Sequence, residues 1–467
     1  MKTDLKHIKH LYWRAGFGMD AKAYQSASNL SYHEHLQLLI DDSKHYKPIK
    51  VWNDARVKSD EITNKLSDNR RMQLRKLSSV NGLLINVEWL KEMAFSKAML
   101  REKMAMFWHN HFACRSNNTY WMQLQINGIR EHALGNFKNL LLGVSKSAAM
   151  LQFLNNRQNR KDAPNENFAR EVMELFTLGR DNLYTETDIK EAARAFTGWD
   201  YNAYGEFTIK SKKHDEGSKE FLGINGNLNG DDVLKHLLKQ KQTAKYVCEK
   251  LYRYFVNEQL NEAHVSQMTE VFFKGDYEIL PVIKLMFGAQ WFVEEANIGS
   301  NIKSPVELIA GIAKTFKVEF ENERSLVFLQ KLLGQVLLQP PNVAGWPGGK
   351  NWIDSTTLML RLNLGKNLFE NASIQLQTKQ EAEELNLNQN KGRRLDAKVD
   401  VTDFFKLFKT TKDEELYETV FEYMLQLPVS EDDLALIKKH IVPGQNRTQL
   451  IGSIALAAMS IPEFQMC

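Results

Sequence analysis

A helix is most clearly predicted by the stretch Pro164-Asn-Glu-Asn-Phe-Ala-Arg-Glu-Val-Met-Glu-Leu-Phe-Thr-Leu178. Proline suits the first turn of a helix, and Gly179 directly afterwards is a typical stop. A second helix is predicted to start at Thr185-Glu-Thr-Asp188, which resembles a capping box with Asp in place of Glu or Gln, and to stop at Gly198. Only residues 180–184 separate the two, so we expect antiparallel neighbours.

Outward from this pair, apolar residues recur at intervals of three and four along most of the chain. The sequence therefore predicts an all-α, multi-helix globular bundle. Further helix starts are predicted at Lys303-Ser-Pro305 and at Ser430, whereas the prolines and glycines of 340–352 exclude a helix there. Strand-like alternation in Gly205-Glu-Phe-Thr-Ile209 predicts a small loop or hairpin excursion near 200–230.

The predicted domain organisation has three parts. Residues 1–375 form the main helical domain, 376–398 a polar loop or linker, and 399–467 C-terminal helices packed on the main domain. The chain has 467 residues, of which 43% are hydrophobic and 25% charged, which is typical of a globular protein. No leader and no apolar span of about 18 residues is evident, so we expect a cytoplasmic protein without a membrane span.

The basic residues do not favour nucleic acid as a partner. The formal net charge is only +4, and the densest basic run lies on a highly polar helical stretch without interleaved aromatic residues: Arg70, Arg71, Arg75 and Lys76. A solvated helix face is favoured over a phosphate-binding patch. The three cysteines are far apart and form no Cys-x-x-Cys pair, which indicates packed, reduced thiols.

Several long motifs occur in a characteristic order: His10-Leu-Tyr-Trp-Arg-Ala-Gly-Phe-Gly18, Arg101-Glu-Lys-Met-Ala-Met-Phe-Trp-His-Asn-His-Phe-Ala113, Asn159–Glu171, Tyr184–Trp199, His214-Asp-Glu-Gly217, Lys303-Ser-Pro305 and Asn342-Val-Ala-Gly-Trp-Pro347. In sequence and order they resemble the domain-of-unknown-function-1800 family over roughly residues 5–467. Genes of this family often lie beside those of a family similar to the alkaline phosphatase and sulfatase superfamily. The resemblance therefore implies a phosphatase- or sulfatase-like protein partner and hints at exported polymer metabolism, although this chain begins almost directly at the first motif.

The two helices of the opening stretch carry the best candidates for catalysis. Glu171 and Glu174 are three residues apart on the first, and Asp188 and Glu191 are three apart on the second, so each pair shares a helix face. If the faces converge, mutual repulsion would raise some pKa values and place a proton donor beside an ionised partner, as glycoside hydrolysis requires. The alternative is that these carboxylates form ordinary ion pairs.

Substrate-binding candidates surround the same helices. Amide, carboxylate and guanidinium groups suited to sugar hydroxyls or an anionic substituent occur at Asn159, Arg160, Asn165, Glu166, Asn167 and Arg170. They could equally cap a buried helix start. Trp346, with Trp352, offers flat rings for stacking on a sugar face, or anchors a rigid turn. His214 lies in a loop able to act as a lid.

A divalent metal is a second possibility, with His109, His111 and His132 as ligands. Histidines two residues apart on a helix point away from each other, however, so the first two cannot bind one ion unless the helix ends between them. His111 shares its face with Met104 and Phe107, which favours a hydrogen-bonded core histidine.

Three functions follow from these patterns. The leading hypothesis is a hydrolase acting on a glycan or related polymer through the paired carboxylates. The second is a non-catalytic helical protein that binds the phosphatase- or sulfatase-like neighbour or a polymer through the Trp346 loop and the acidic helices. The third is a metal-dependent enzyme using the histidines.

Overall fold

The computed structural model describes residues 4–52, 68–202, 204–369, 373–374, 393–394 and 397–467. The chain is mostly helical, as predicted. Within the described ranges the helices are α1 (Leu5–Arg14), α2 (Ala21–Ser26), α3 (Tyr32–Asp42), α4 (Asp68–Phe95), α5 (Met99–His111), α6 (Thr119–His132), α7 (Phe137–Ser145), α8 (Ala148–Phe153), α9 (Asn167–Glu171), α10 (Glu186–Ala195), α11 (Gly230–Leu237), α12 (Lys241–Phe255), α13 (Glu262–Lys274), α14 (Ile279–Gly288), α15 (Pro305–Phe316), α16 (Glu323–Leu333), α17 (Ser355–Phe369), α18 (Thr402–Leu407), α19 (Leu416–Met424), α20 (Glu431–His440) and α21 (Arg447–Met459).

Side-chain caps fix several of these helix starts. Thr185 and Asp188 form the reciprocal capping box that the sequence predicts for α10. Helix α15 begins at Pro305, with Ser304 as the capping residue. Ser430 caps α20 by accepting a hydrogen bond from the backbone of Asp433. At these three starts the structure confirms the prediction, because each depends only on residues local to the cap.

The excursion near 200–230 is also confirmed. It contains two antiparallel hairpins, formed by β1 (Trp199–Tyr201) with β2 (Phe207–Ile209) and by β3 (Lys219–Phe221) with β4 (Ile224–Gly226). The second hairpin turns through Leu222 and Gly223, both at positive φ, which is the two-residue turn whose twist matches paired strands. The other described strands are short pairs: β5 (Glu319–Phe320) with β8 (Ala397–Lys398), and β6 (Ser373–Ile374) with β7 (Arg393–Arg394).

The predicted helix from Pro164 to Leu178 differs from the structure at both ends. Helix α9 starts at Asn167, because Asn165 Oδ1 accepts a hydrogen bond from the Asn167 amide and Pro164 stays in the preceding loop. From Val172 to Thr177 the backbone is a π-helix, in which the Leu178 amide bonds to the Met173 carbonyl five residues back. An apolar period near 3.6 residues does not predict such a π-helical turn.

A continuous hydrophobic core joins both ends of the described chain, with Trp89, Trp108 and Trp199 among its largest buried side chains. Tyr423 of α19 donates a hydrogen bond to the Met19 carbonyl, so the C-terminal helices contact the N-terminal ones directly. Most of the predicted linker 376–398 lies outside the described residues. Across the part of the chain that is described, no helix is both long and apolar enough to span a membrane.

The core also contains a fully buried ion pair between α5 and α6. Both side chains, Glu102 and Arg130, are inaccessible to solvent, and the guanidinium donates two hydrogen bonds of 2.7 and 2.8 Å to the two carboxylate oxygens. The indole of Trp89 on α4 adds a third, at 3.0 Å. Burying a charge is tolerated when its partner is well aligned, so this arrangement ties three helices together.

Replacing Glu102 with Ala should lower the free energy of unfolding by about 3–5 kcal/mol, because Arg130 would remain buried without its bidentate partner. Urea unfolding measures the change. Glu88→Ala is the matched control: Glu88 pairs with Lys91 on the surface, where removal should change stability by less than about 1 kcal/mol. Equal losses in the two variants would show that the buried pair contributes no more than the exposed one.

Candidate functional site

Three of the four candidate catalytic carboxylates are engaged by neighbouring groups. Glu174 forms ion pairs with Arg170 at 3.4 Å and with Arg180 at 3.3 Å, and Glu191 pairs with Arg194 at 2.8 Å. Asp188 accepts hydrogen bonds from the backbone of Thr185 and, at 2.8 Å, of Leu222. Burial would raise the pKa of Asp188, but these hydrogen bonds outweigh it and hold the pKa below its ordinary value.

Glu171 is the exception. Its Oε2 is buried, and within the described ranges it has no hydrogen-bond partner. Burial, with a smaller contribution from Glu174, raises the pKa of this carboxyl. A half-buried acid with one unsatisfied oxygen is the kind of group that can donate a proton near neutral pH.

The candidate substrate-binding amides bind other parts of the protein. Asn159 is buried, donates to the Ala193 carbonyl at 2.8 Å and accepts from the Asn165 amide at 2.9 Å. Asn167 donates to the Leu154 carbonyl at 3.1 Å. These contacts hold the segment before α9 against α8 and α10.

The candidate arginines differ in their contacts. Arg170 forms a two-pronged pair with Glu186, both hydrogen bonds being 2.8 Å long, and contacts Glu166 at 3.2 Å. Arg160 is exposed, and its backbone bridges to Ala163. The Arg170 pairs cross-link α9 with α10, which matches the ion-pair alternative considered for this helix pair.

The four histidines lie apart. His109 accepts a hydrogen bond from the Leu338 amide at 3.1 Å, while His111 Nε2 donates to the Phe176 carbonyl at 3.2 Å. Burial lowers the pKa of both, to about 4 for His109, so both rings are neutral at pH 7. His214 bonds to the Thr197 carbonyl, and His132 lines a separate cavity of about 270 Å³.

A search of the described residues finds no group of three or more His, Cys, Asp or Glu side chains placed to hold a metal ion. The two histidines of α5 point to different neighbours, as residues two apart on a helix must. The structure thus gives the proposed histidine ligands no common centre.

A pocket that the sequence did not single out lies where α1, α5, α12 and the start of α15 meet the 344–352 loop. Its volume is about 580 Å³, within the range of small-ligand sites. Basic side chains from three helices and the loop line it: Arg14, Lys103, Lys250, Arg253 and Lys350. The lining carboxylates are Glu258 and Glu307, and none of the four candidate catalytic carboxylates is among the lining residues.

The loop wall of the pocket is held by Asn110 of α5. Its Oδ1 accepts a hydrogen bond from the Trp346 amide at 2.7 Å, and Gly345 packs directly against it at a φ of +84°. A Cβ atom on Gly345 would lie 2.2 Å from Asn110 Oδ1. The loop is irregular as predicted, apart from a 3-10 turn at Gly349–Trp352, and both Trp346 and Trp352 line the pocket.

The floor of the pocket is an ion pair. Lys103 is buried, pairs with Glu307 and donates to the Trp13 carbonyl at 3.1 Å. Glu307 is also the third residue of α15 and accepts a 2.7 Å hydrogen bond from the Ser304 amide. Burial alone would raise the pKa of Glu307, but Lys103 and Ser304 outweigh burial and hold the pKa below its ordinary value.

Three polar groups of the lining residues lack partners within the described chain: Arg14 Nε, the Tyr254 hydroxyl and His111 Nδ1. Arg14 is buried. Its Nη2 donates hydrogen bonds to the Asn297 carbonyl at 2.9 Å and to Ser300 Oγ at 2.8 Å. Buried polar atoms are rarely left unsatisfied, so these three groups are available for hydrogen bonds to a ligand in the cavity.

The family model described as "Protein of unknown function (DUF1800)" matches residues 10–466. The chain belongs to the DUF1800 family. No curated protein and no solved structure matches it. Four of the seven segments that carry the family resemblance contribute to the lining of the pocket, through Arg14, Lys103, Asn110, Ser304 and Trp346. These four DUF1800 motifs, distant in sequence, therefore meet at one cavity.

Gly345→Ala should lower the free energy of unfolding by at least about 1–2 kcal/mol, because a side chain at this positive φ is strained and meets Asn110. Thermal unfolding measures the loss. Gly348→Ala is the control in the same loop, since φ is negative there and no atom lies within 4 Å of the added Cβ. If both variants unfold at the same temperature, Asn110 does not hold the loop.

Proposed function

We propose that this DUF1800 protein binds an anionic saccharide-like ligand in the pocket between α1, α5, α12, α15 and the 344–352 loop. The observation that supports this most is the concentration of basic side chains, one of them with an unsatisfied buried nitrogen, around a cavity of ligand size. This function corresponds to the binding hypothesis that relied on the Trp346 loop.

Charge favours an anion. Arg14 is buried, forms no ion pair with any described residue, and its Nε has no acceptor among them. A buried cation without a counter-ion is unfavourable, and a carboxylate, sulfate or phosphate group would supply the missing charge and acceptors. The exposed Arg253 and Lys350 add two further donors that can reach an entering ligand.

The remaining lining groups favour a saccharide. The rings of Trp346 and Trp352 provide flat apolar surfaces, and amides at Asn301, Gln335 and Asn351 can exchange hydrogen bonds with hydroxyl groups. A phosphatase- or sulfatase-like protein, the partner that the family resemblance implies, would act on esters of the same anions. A ligand shared by the two proteins therefore fits the proposal.

Lys350→Ala and Arg253→Ala should each weaken the binding of a sulfated disaccharide about tenfold, measured by calorimetry against its unsulfated counterpart, because each variant removes one charged hydrogen bond. Both side chains are exposed, so folding should be unaffected. Lys212→Ala removes an exposed lysine outside the pocket and is the control. Equal affinity for the sulfated and unsulfated sugars would overturn the proposal.

A second function, hydrolysis of a glycan or related polymer, is favoured by the unsatisfied carboxyl of Glu171. In this proposal Glu171 is the general acid, because burial raises the pKa of its carboxyl, and Asp188 or Glu191 is its partner. Glu174 is better placed as an electrostatic neighbour, since it forms ion pairs with Arg170 and Arg180.

Glu171→Gln should abolish turnover of an acidic polysaccharide while leaving the fold intact. The pKa of Glu171 is raised on folding, so its contribution to stability is present at low pH and is lost as pH rises through the folded pKa. The variant should therefore gain stability relative to wild type as pH rises. Glu174→Gln, which removes two ion pairs, is the comparison. Full activity of Glu171→Gln would exclude this mechanism.

A further inference from the structure

One wall of the pocket carries a lysine and a tyrosine one helical turn apart. Lys250 and Tyr254 are four residues apart on α12, so they share a face of that helix, and both line the cavity. His111 of α5 lines the same cavity. Its ring centroid lies 6.4 Å from that of Tyr246, and Lys250 Nζ lies 5.3 Å from the Tyr246 ring centroid.

Lys250 differs from the other lysines of this region. Lys103 is neutralised by Glu307, Lys350 is exposed, and Lys303, behind the pocket, donates to the Phe464 carbonyl at 2.6 Å. In the described chain Lys250 has neither an ion pair nor a hydrogen bond, and burial lowers its pKa to about 8. Roughly a tenth of this amine is therefore unprotonated at pH 7, far more than for a lysine of ordinary pKa, and the unprotonated form is the nucleophile.

The groups beside Lys250 are suited to proton transfer. The Tyr254 hydroxyl is buried without a partner among the described residues, and burial raises its pKa well above the ordinary value, so it stays protonated. His111 is neutral, and its Nε2 donates a hydrogen bond to the Phe176 carbonyl. Its Nδ1 has no partner among the described residues and can accept a proton. A protonated phenol and an imidazole nitrogen with a free lone pair thus line the same cavity as the amine.

We propose that Lys250 is a carbonyl-reactive lysine, which forms an imine with an aldehyde or ketone group of the anionic ligand held in this pocket. The anionic part of the ligand rests on the proposed function, with Arg14, Arg253 and Lys350 as its partners. A saccharide fits both requirements, because a reducing sugar acid or sugar phosphate carries an anion and a carbonyl group in one molecule.

The reaction needs no additional reactant. The Nζ lone pair adds to the carbonyl carbon, the C–O π electrons move to oxygen, and that oxygen takes a proton from the Tyr254 hydroxyl. Nζ then loses a proton to His111 Nδ1, which gives the neutral carbinolamine. Its hydroxyl group takes that proton back from the imidazolium and leaves as water while the nitrogen lone pair forms the C=N bond. The protonated imine then gives its N–H proton to the Tyr254 phenolate, so that both protein groups are restored.

Pyridoxal 5′-phosphate, an aldehyde that carries a phosphate, is the probe. The wild-type protein is incubated with it at neutral pH, the imine is reduced to a stable secondary amine with borohydride, and the labelled lysines are identified by peptide mass spectrometry. We expect Lys250 to be labelled about tenfold or more faster than Lys103 and Lys350, because it has no counter-ion among the described residues and its pKa is lowered. Labelling spread evenly over exposed lysines would overturn the proposal.

Two variants separate the roles. Lys250→Arg keeps a cation but cannot form an imine, so it should lose labelling while still binding the sulfated disaccharide within a few-fold of wild type. Tyr254→Phe should slow labelling at Lys250 by glycolaldehyde, an uncharged aldehyde, several-fold. Labelling of Tyr254→Phe at the wild-type rate would contradict the role of the phenol.

Glycolaldehyde, which carries no charge, distinguishes the failure of this inference from the failure of the proposed function. If glycolaldehyde labels Lys250 selectively but the sulfated sugar does not bind, the proposal of a reactive lysine is supported and the proposal of an anion site is wrong. If the sulfated sugar binds but neither aldehyde labels Lys250, the proposal of an anion site is supported and the proposal of a reactive lysine is wrong.

Discussion

The ion pair between Lys103 and Glu307 is the interaction on which the pocket depends. It joins α5 to the first turn of α15 across more than 200 residues of sequence, and both groups are removed from bulk solvent. Neither charge is acceptable alone at this depth, so the pair fixes the spacing of the two helices. Because Glu307 also closes the capping box with Ser304, the start of α15 and the floor of the cavity are determined together.

Local sequence rules predicted the helical class, the caps at Thr185, Ser304 and Ser430, and the hairpins near 200–230. They succeeded because a cap or a turn depends on residues within a few positions of each other. The predicted helix start at Pro164 was wrong, because the Asn165 side chain accepts a hydrogen bond from the Asn167 amide and the helix begins at Asn167. The preference of proline for the first turn does not decide between these two starts. The π-helix was missed because the apolar pattern is compatible with both windings.

The pocket was not predicted, although two of its residues were visible as anomalies. Lys103 interrupts an otherwise apolar helix face, and Lys250 lies between Tyr246 and Tyr254 on its helix, so each lysine needs either a counter-ion or a cavity. Which of the two applies depends on partners distant in sequence: Lys103 has Glu307, and Lys250 has none among the described residues. The acidic helix pair was predicted to be catalytic because its carboxylates are close in sequence. In the structure, Arg170, Arg180 and Arg194 form ion pairs with two of these carboxylates, Glu174 and Glu191.

The π-helix at 172–177 has a consequence for comparing sequences within the family. The Phe176 carbonyl in this π-helix accepts a hydrogen bond from His111 Nε2. The orientation of His111 in the wall of the pocket therefore depends on the angular position of Phe176. Each residue of a helix advances it by about 100°. A relative with a single-residue gap between α9 and Gly179 would therefore retain every motif and every apolar position, yet turn the acceptor away from the histidine. In an alignment of this family, the length of that segment carries as much information as its letters.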